Sequence, residues 1–378
     1  IINYQYPMKN LVKVHIDNVT TRTVCLQPKN VLCEIQPVTI ESTQCFQQNL
    51  DKSENTDLLQ TLKIENNNLS YNQIKQSQKL IRNFSDIFSK SDTDIGHTSV
   101  VKHKIELLDP EPFKQKTRRI PPSMFKEVKE HLDQLLTAGI IQKSKSPWSS
   151  NVVLCRKKNN QLRMCIDYRQ LNMKTKKDAY ALPRIEEILD SLAGNKYFSI
   201  LDMKSGYHQI ELYEPHKERT AFTVGPLGFF EFNRLPFGLV NAPATYQRLM
   251  EDCFQGLHLN ICYIYLDDLV VFSKTFEEHL DRLEKIFQRL REVNLKLAPK
   301  KCELFKSKVK YVENIISENG IEQDPEKIIK VENWPTPRNP DEVRKFLGFV
   351  GYYRRFIKGF SKIAKPLIEL MPEGNRKA

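Results

Sequence analysis

Two adjacent carboxylates, Asp267 and Asp268, stand at the centre of an apolar stretch, Cys262-Tyr-Ile-Tyr-Leu-Asp-Asp-Leu-Val-Val-Phe272. A lone Asp-Asp pair is usually a solvated turn. Apolar arms on both sides are not required by such a turn, and charge set between them needs a partner. In a hairpin turn both carboxylates can face one spot and bind a cation. A third carboxylate, Asp202, has the same setting at the end of Tyr197-Phe-Ser-Ile-Leu, ahead of Met203-Lys-Ser-Gly-Tyr207. Taken alone, Asp202 reads most simply as a cap. Taken together, three carboxylates from two strand ends can hold two hard divalent ions such as Mg²⁺, which favour a few carboxylates plus substrate phosphates. Two ions roughly 4 Å apart can activate an attacking hydroxyl and stabilise a leaving pyrophosphate.

Elements must bring those residues together, and the pattern around them alternates hairpins with helices. Ser123 to Ala138 has apolar residues at helical spacing (Phe125, Val128, Leu132, Leu135, Leu136), follows Pro121-Pro122, takes Ser123 as N-cap and stops at Gly139. Asn151–Cys155 and Leu162–Ile166 read as two strands of a hairpin turned by Lys157-Lys-Asn-Asn. A helix at Pro183–Leu192 leads to the strand Phe198–Asp202. Strands follow at Thr220–Val224 and Phe229–Leu235, a helix at Ala242–Phe254, the two arms around Asp267-Asp268, and a charged amphipathic helix at Phe276–Val293. Two late helices are expected at Pro325–Asn333 and Asp341–Lys358. The alternation argues for an α+β layer fold.

The chain has 378 residues with 58 Lys+Arg against 46 Asp+Glu, a net charge of +12. Residues 1–100 carry 10 of each sign, so the whole surplus lies beyond residue 100. A basic surplus confined to one region points to a polyanionic partner, the plainer reading being a solvated surface. No apolar run reaches 18 residues, so no membrane-spanning helix is expected. None of the eight cysteines stands at zinc-knuckle spacing, and Cys155, Cys165 and Cys262 lie in apolar runs as small buried thiols. A chain opening at Ile1 without a leader reads as a piece of something longer.

The order of the segments narrows the reading. Leu201-Asp-Met-Lys-Ser-Gly-Tyr-His-Gln-Ile, then Leu235-Pro-Phe-Gly-Leu-Val-Asn-Ala-Pro-Ala-Thr-Tyr-Gln, then Tyr263-Ile-Tyr-Leu-Asp-Asp resembles the reverse transcriptase of gypsy-type long-terminal-repeat retrotransposon Pol polyproteins. Ser146-Pro-Trp-Ser-Ser, Cys165-Ile-Asp-Tyr-Arg-Gln-Leu-Asn, Leu297-Ala-Pro-Lys-Lys-Cys and Phe346-Leu-Gly-Phe-Val-Gly-Tyr-Tyr-Arg-Arg-Phe-Ile extend the likeness over about residues 84–370.

The resemblance implies a right-hand polymerase of fingers, palm and thumb, with an antiparallel palm sheet backed by helices. It implies that Asp202, Asp267 and Asp268 are catalytic and hold Mg²⁺, Mn²⁺ being an alternative. It makes Tyr207 a gate against the ribose 2′-hydroxyl, sets Phe237 in the nucleotide pocket, and gives Lys157, Lys158 and Arg163 the triphosphate. The expected partners are dNTPs and an RNA or DNA template with its primer, with no membrane. The implied reaction is RNA-directed DNA polymerisation; the alternative is a catalytically impaired, nucleic-acid-binding relic of such an element. The expected division is a short β segment at 1–45, a polar linker at 46–95, fingers and palm at 96–277, thumb at 278–334, and the start of a connection at 335–378, without a ribonuclease H domain. Basic residues of the Phe276–Val293 helix and after it, Lys285, Arg289, Arg291, Lys296, Lys300 and Lys301, are expected on backbone phosphates. One block departs: Val312-Glu313-Asn314 replaces the family's Leu-Gly-His, placing a carboxylate where the primer end is gripped.

Overall fold

The computed structural model describes residues 58–64, 69–156, 162–312 and 314–371. The expected β segment at 1–45, the lysines Lys157 and Lys158, and Glu313 lie outside these residues.

A five-stranded sheet forms the centre, in the order Lys63–Ile64, Glu303–Lys306, Tyr197–Asp202, Asp268–Ser273, Cys262–Tyr265. The last four strands pair antiparallel; the short first strand pairs parallel. Both faces are apolar, and the period-two alternation sorts them. Leu201, Leu269, Val271, Cys262 and Ile264 enter one core with the helices Ala242–Cys253 and Phe276–Glu292. Phe198, Val270, Phe272 and Tyr263 enter a second core with the helix Ile185–Leu192 and the Lys308–Tyr311 and Asn314–Ser317 hairpin. Burial on both faces accounts for the near-continuous apolar runs that flank each aspartate.

A second five-stranded sheet runs Ile141–Lys143, Phe229–Phe232, Phe222–Thr223, Ser150–Arg156, Leu162–Asp167. The expected hairpin between the last two is present, with Val153 opposite Cys165. The strand expected at Thr220–Val224 shrinks to Phe222–Thr223, because Glu214–Thr220 is a 3₁₀ segment opened by Pro215. The helix expected from Ser123 begins at Phe125. Met124 occupies its N-cap without a side-chain bond, since Pro122–Met124 forms a preceding 3₁₀ turn.

Residues 46–95, expected as a linker, hold a regular helix at Tyr71–Asn83. Ser70 and Gln73 form a reciprocal capping box at its start. Leu80, Ile81, Phe84, Ile87 and Phe88 are buried in the main core, with Phe84 and Phe88 against Phe287. The Asn/Gln-rich surface of this helix hid its apolar end.

The C-terminal residues also differ from expectation. The helix expected over Asp341–Lys358 ends at Gly351, and a further helix follows at Phe360–Glu369 with Pro366 inside it. Val343, Leu347, Ala364 and Met371 give these two helices a core of their own. The Phe276–Glu292 helix, expected to open the thumb, buries Leu283, Ile286, Phe287 and Leu290 against the central sheet. Its exposed cations are engaged: Lys285 with Asp281 at 2.7 Å, and Arg291 with Asp86 at 2.8 Å. Arg289 donates to the Cys253 carbonyl at 2.7 Å, and Lys296 is paired with Asp94.

Candidate active site

The hairpin of Cys262–Tyr265 and Asp268–Ser273 closes through a two-residue turn, Leu266-Asp267. Such turns need a positive φ at their first position, and Leu266 has φ 51°. A leucine there costs on the order of 1–3 kcal/mol, so the surroundings must hold it. Gln247 does so. It is fully buried on the Ala242–Cys253 helix; its Oε1 accepts from the Leu266 N–H at 2.8 Å, and its Nε2 donates to the Ile264 carbonyl at 3.1 Å. The same Nε2 donates to Glu251 at 2.7 Å, and Glu251 also accepts from the Tyr180 hydroxyl.

Register brings the carboxylates together. Asp268 lies directly opposite Asp202 across the two central strands, and Asp267 precedes it in the turn. Direct cross-strand partners hold their Cβ atoms about 4.5–5.5 Å apart. Burial, then the charges of Asp202 and Asp268, push the Asp267 carboxyl up to about 6. Burial and the Asp202 charge likewise raise Asp268, with Lys301 opposing in both cases. Lys301 reaches both oxygens of Asp202 at 3.1 Å. The backbone of Asp202 is braced from the same segment, its carbonyl accepting from the Ala298 N–H at 2.9 Å.

One carboxylate oxygen is left over. Asp267 Oδ1 is buried with no hydrogen-bond partner, and so is the hydroxyl of Tyr246. Gly206 makes room for both: a Cβ on it would lie 2.5 Å from the Tyr246 hydroxyl and 2.9 Å from Asp267 Oδ1. Buried polar atoms are nearly always satisfied, so an orphaned, charge-crowded carboxylate oxygen marks a place that a cation fits. Among the described residues no group of three or more His, Cys, Asp or Glu side chains is placed to hold a metal ion as it stands. Lys301 supplies the positive charge at Asp202.

Tyr207 and Phe237 meet beside the aspartates. Their ring centroids are 5.0 Å apart, and Tyr207 also packs edge-on against Tyr246 at 5.2 Å. Tyr207 sits on the 3₁₀ turn Gly206–Gln209, reached through Ser205 at φ 49°. Burial and then the Asp267 charge raise its hydroxyl to about 12, so it stays protonated. Phe237 keeps 50% of its surface exposed, unusual for a phenylalanine and suited to stacking with a ligand. Arg163 is exposed on the edge strand of the second sheet, opposite Cys155. The structure therefore brings together Asp202, Asp267, Asp268, Tyr207 and Phe237, while Arg163 stands exposed on the second sheet.

Sequence reasoning missed Gly206 and Gln247 as parts of this centre, and gave Lys301 to a phosphate. The block Ala-Thr-Tyr-Gln contained Gln247, but a polar helix residue carries no local sign of the turn it locks.

Residues 155–349 match the family model described as "Reverse transcriptase (RNA-dependent DNA polymerase)". The Pol polyprotein of transposon 412 from Drosophila melanogaster is 36% identical over 301 residues, 78% of this chain and 24% of that polyprotein. The Drosophila gypsy Pol polyprotein is 37% identical over 294 residues, 76% of this chain and 28% of its own length. This chain thus spans about a quarter of the length of these relatives. A solved foamy viral protease-reverse transcriptase in complex with double-stranded DNA superposes with a TM-score of 0.75 at 25% identity, covering 89% of this chain and 57% of that one. The same viral enzyme with an RNA/DNA hybrid gives a TM-score of 0.72, covering 89% of this chain and 44% of that one. With a family model matching over half its length on a fold of fingers, palm and thumb, this chain belongs to the reverse transcriptase (RNA-dependent DNA polymerase) family.

Proposed function

We propose that this chain is the polymerase portion of a retrotransposon Pol polyprotein and extends a primer with dNTPs on an RNA or DNA template. The observation that carries the reading is the pairing of Asp202 with Asp268 beside the buried, unpartnered Asp267 oxygen. These three residues would hold Mg²⁺, or Mn²⁺, which when bound supplies positive charge to the reacting phosphate and lowers the pKa of the attacking hydroxyl. The rest of the mechanism belongs to the chain. The Gln247-locked turn fixes two carboxylates at one strand end, and the Ala298–Cys302 segment fixes the third from the opposite side. Catalysis then rests on positioning and charge, with no covalent step through a side chain.

Tyr207 is assigned as the surface under the sugar, where a ring backed by Tyr246 leaves no room for a 2′-hydroxyl. Phe237, half exposed at its edge, is assigned to the nucleotide pocket. Lys157, Lys158 and Arg163 are assigned to the triphosphate, since Lys offers point charge and Arg a bidentate fork. Within the proposed division, fingers and palm take residues 96–277. The Phe276–Glu292 helix is better counted with the palm, whose sheet it covers, and the thumb with the residues beyond the Glu303–Lys306 strand. The two-helix unit at 340–371, with its own core, suits that role better than the start of a connection.

Primer extension on an RNA template with Mg²⁺ or Mn²⁺ tests the reading, with Asp267→Asn as the control. Extension by the parent and none by the variant supports it. Absence of extension by the parent on both RNA and DNA templates overturns it.

A further inference from the structure

Away from the aspartates, a groove of about 550 Å³ opens between the Thr98–His103 strand with its following residues, the segment 176–179, and the outer side of the Ala242–Cys253 helix. Lys102, Lys104, Lys176, Lys177 and Arg248 line it, against only two carboxylates, Glu106 and Asp178. Three of the five cations are answered: Lys102 by Glu211 at 2.9 Å, Arg248 by Asp178 at 2.9 Å, and Lys176 more distantly by Glu106 at 3.9 Å. Among the described residues Lys104 and Lys177 have no carboxylate partner; Lys104 lies 5.2 Å from the Tyr213 ring centroid.

The placement of the groove matters as much as its charge. Thr245 and Arg248 line it, while Tyr246 and Gln247 of the same helix reach the catalytic turn. Groove and turn therefore lie on opposite faces of one helix. Arg248 stands 4.5 Å over the Tyr180 ring, and Tyr180 donates to Glu251, the carboxylate that also holds Gln247. The wall of the groove is thus continuous with the hydrogen bonds that hold the Leu266-Asp267 turn.

We propose that this groove is a binding surface for the phosphodiester backbone of a nucleic-acid strand, with Lys104 and Lys177 as its principal contacts. The proposal rests on the polymerase reading and extends it to a surface outside the catalytic centre. Point charges on flexible stems with few base-reading groups among them suit backbone contact without sequence selection. An acidic polypeptide is the rival occupant, and the test includes it.

Binding of a labelled short single-stranded RNA and of a primer–template duplex is measured by fluorescence anisotropy over a salt series. The parent is compared with Lys104→Ala/Lys177→Ala and with Lys126→Ala/Lys129→Ala, two exposed lysines of the Phe125–Thr137 helix, as a control. Loss of two phosphate contacts lowers the slope of log affinity against log salt by about 1.4 on a single strand or about 1.8 on a duplex. That fall on either ligand, with the control pair unchanged, supports the proposal. An unchanged slope on both ligands overturns it, as does tight binding of poly-glutamate by the parent that the groove variant loses while its RNA binding stays unchanged. Extension by the parent is measured separately, so a failed polymerase and a failed groove give different results.

Discussion

Two buried polar clusters share the strands Tyr197–Asp202 and Asp268–Ser273, and they differ in one respect. On one face, His279 stands between Ser199 and Ser273 and is fully buried. Ser273 Oγ donates to the Thr275 carbonyl at 2.8 Å, so it accepts from His279 Nδ1. Nε2 then accepts from Ser199 Oγ at 2.8 Å, and that oxygen accepts from the Phe305 N–H at 3.1 Å. Every polar atom of the ring has a partner, and burial holds its pKa down to about 3. At the strand ends, Asp267 keeps a buried oxygen without a partner and a pKa pushed up to about 6. The closed cluster ties two strands, a helix and the Glu303–Lys306 strand into one body. The open one lowers the stability of that body and is the part with something left to bind.

Four experiments can break this contrast or sharpen it. The largest effect is expected from Asp267→Asn, which should lower primer extension by about 10²–10³-fold or more, the scale of losing one electrostatic stabiliser of a transition state. The same variant should remove a pH dependence. Between about 3.8 and 6 the native Asp267 holds a proton that the unfolded chain releases, so stability of the metal-free protein falls as pH rises through that window. Above 6 the cost is fully present, and Mg²⁺ should offset it. Melting curves across pH, with and without Mg²⁺, check this; equal slopes for parent and variant would remove Asp267 as the open group.

Next comes Tyr207→Ala or Tyr207→Val, which should raise incorporation of ribonucleotides roughly 10- to 100-fold relative to dNTPs, the discrimination available to a steric pocket. Single-nucleotide incorporation kinetics decide it. A variant that rejects ribonucleotides as well as the parent does makes Tyr207 packing for Tyr246 and Phe237.

Gln247→Leu should cost about 1–3 kcal/mol of stability, because the Leu266 N–H and the Ile264 carbonyl lose a buried partner. It should also raise the Mg²⁺ concentration needed for half-maximal extension, as a loosened turn predicts. A lower melting temperature with an unchanged Mg²⁺ requirement would assign Gln247 to stability alone.

His279→Leu should cost a similar or smaller amount, leave Ser199 and Ser273 short of a partner, and leave the Mg²⁺ requirement unaltered. Here the pH sign is reversed. The unfolded histidine takes a proton near 6.5 and the native one only near 3, so this contribution to stability is present above 6.5 and lost as pH falls toward 3. Acid titration of parent and variant by circular dichroism separates it from the Asp267 effect.

The same contrast explains what could be read from the chain. Asp202, Asp267 and Asp268 were legible because each interrupts an apolar strand, a local and costly pattern. The division into two mixed layers was legible from alternating hairpins and helices. Gly206 and Gln247 were not, since a glycine after Ser205 reads as a turn and a glutamine on a helix reads as surface. Their roles exist only once Tyr246 and the Leu266 turn arrive from elsewhere in the chain. The Tyr71–Asn83 helix was lost for a different reason. Its polar face dominates the sequence, while Leu80 and Ile81 become buried only against the distant Phe276–Glu292 helix. The helix Phe360–Glu369 was masked by Pro366, which tertiary packing tolerates.

Gly206 has a consequence for how substrate choice in this chain can change over generations. A Cβ there would lie under 3 Å from the Tyr246 hydroxyl and the Asp267 carboxylate, so any substitution forces one of them to shift. Its neighbour Tyr207 has no such constraint on its outer edge. Under the proposed roles, variation in nucleotide preference is channelled to Tyr207 and Phe237, while the backbone that carries Tyr207 stays pinned beside the Asp267 carboxylate. A selection for altered nucleotide use should return substitutions at Tyr207 and Phe237 and leave Gly206 untouched.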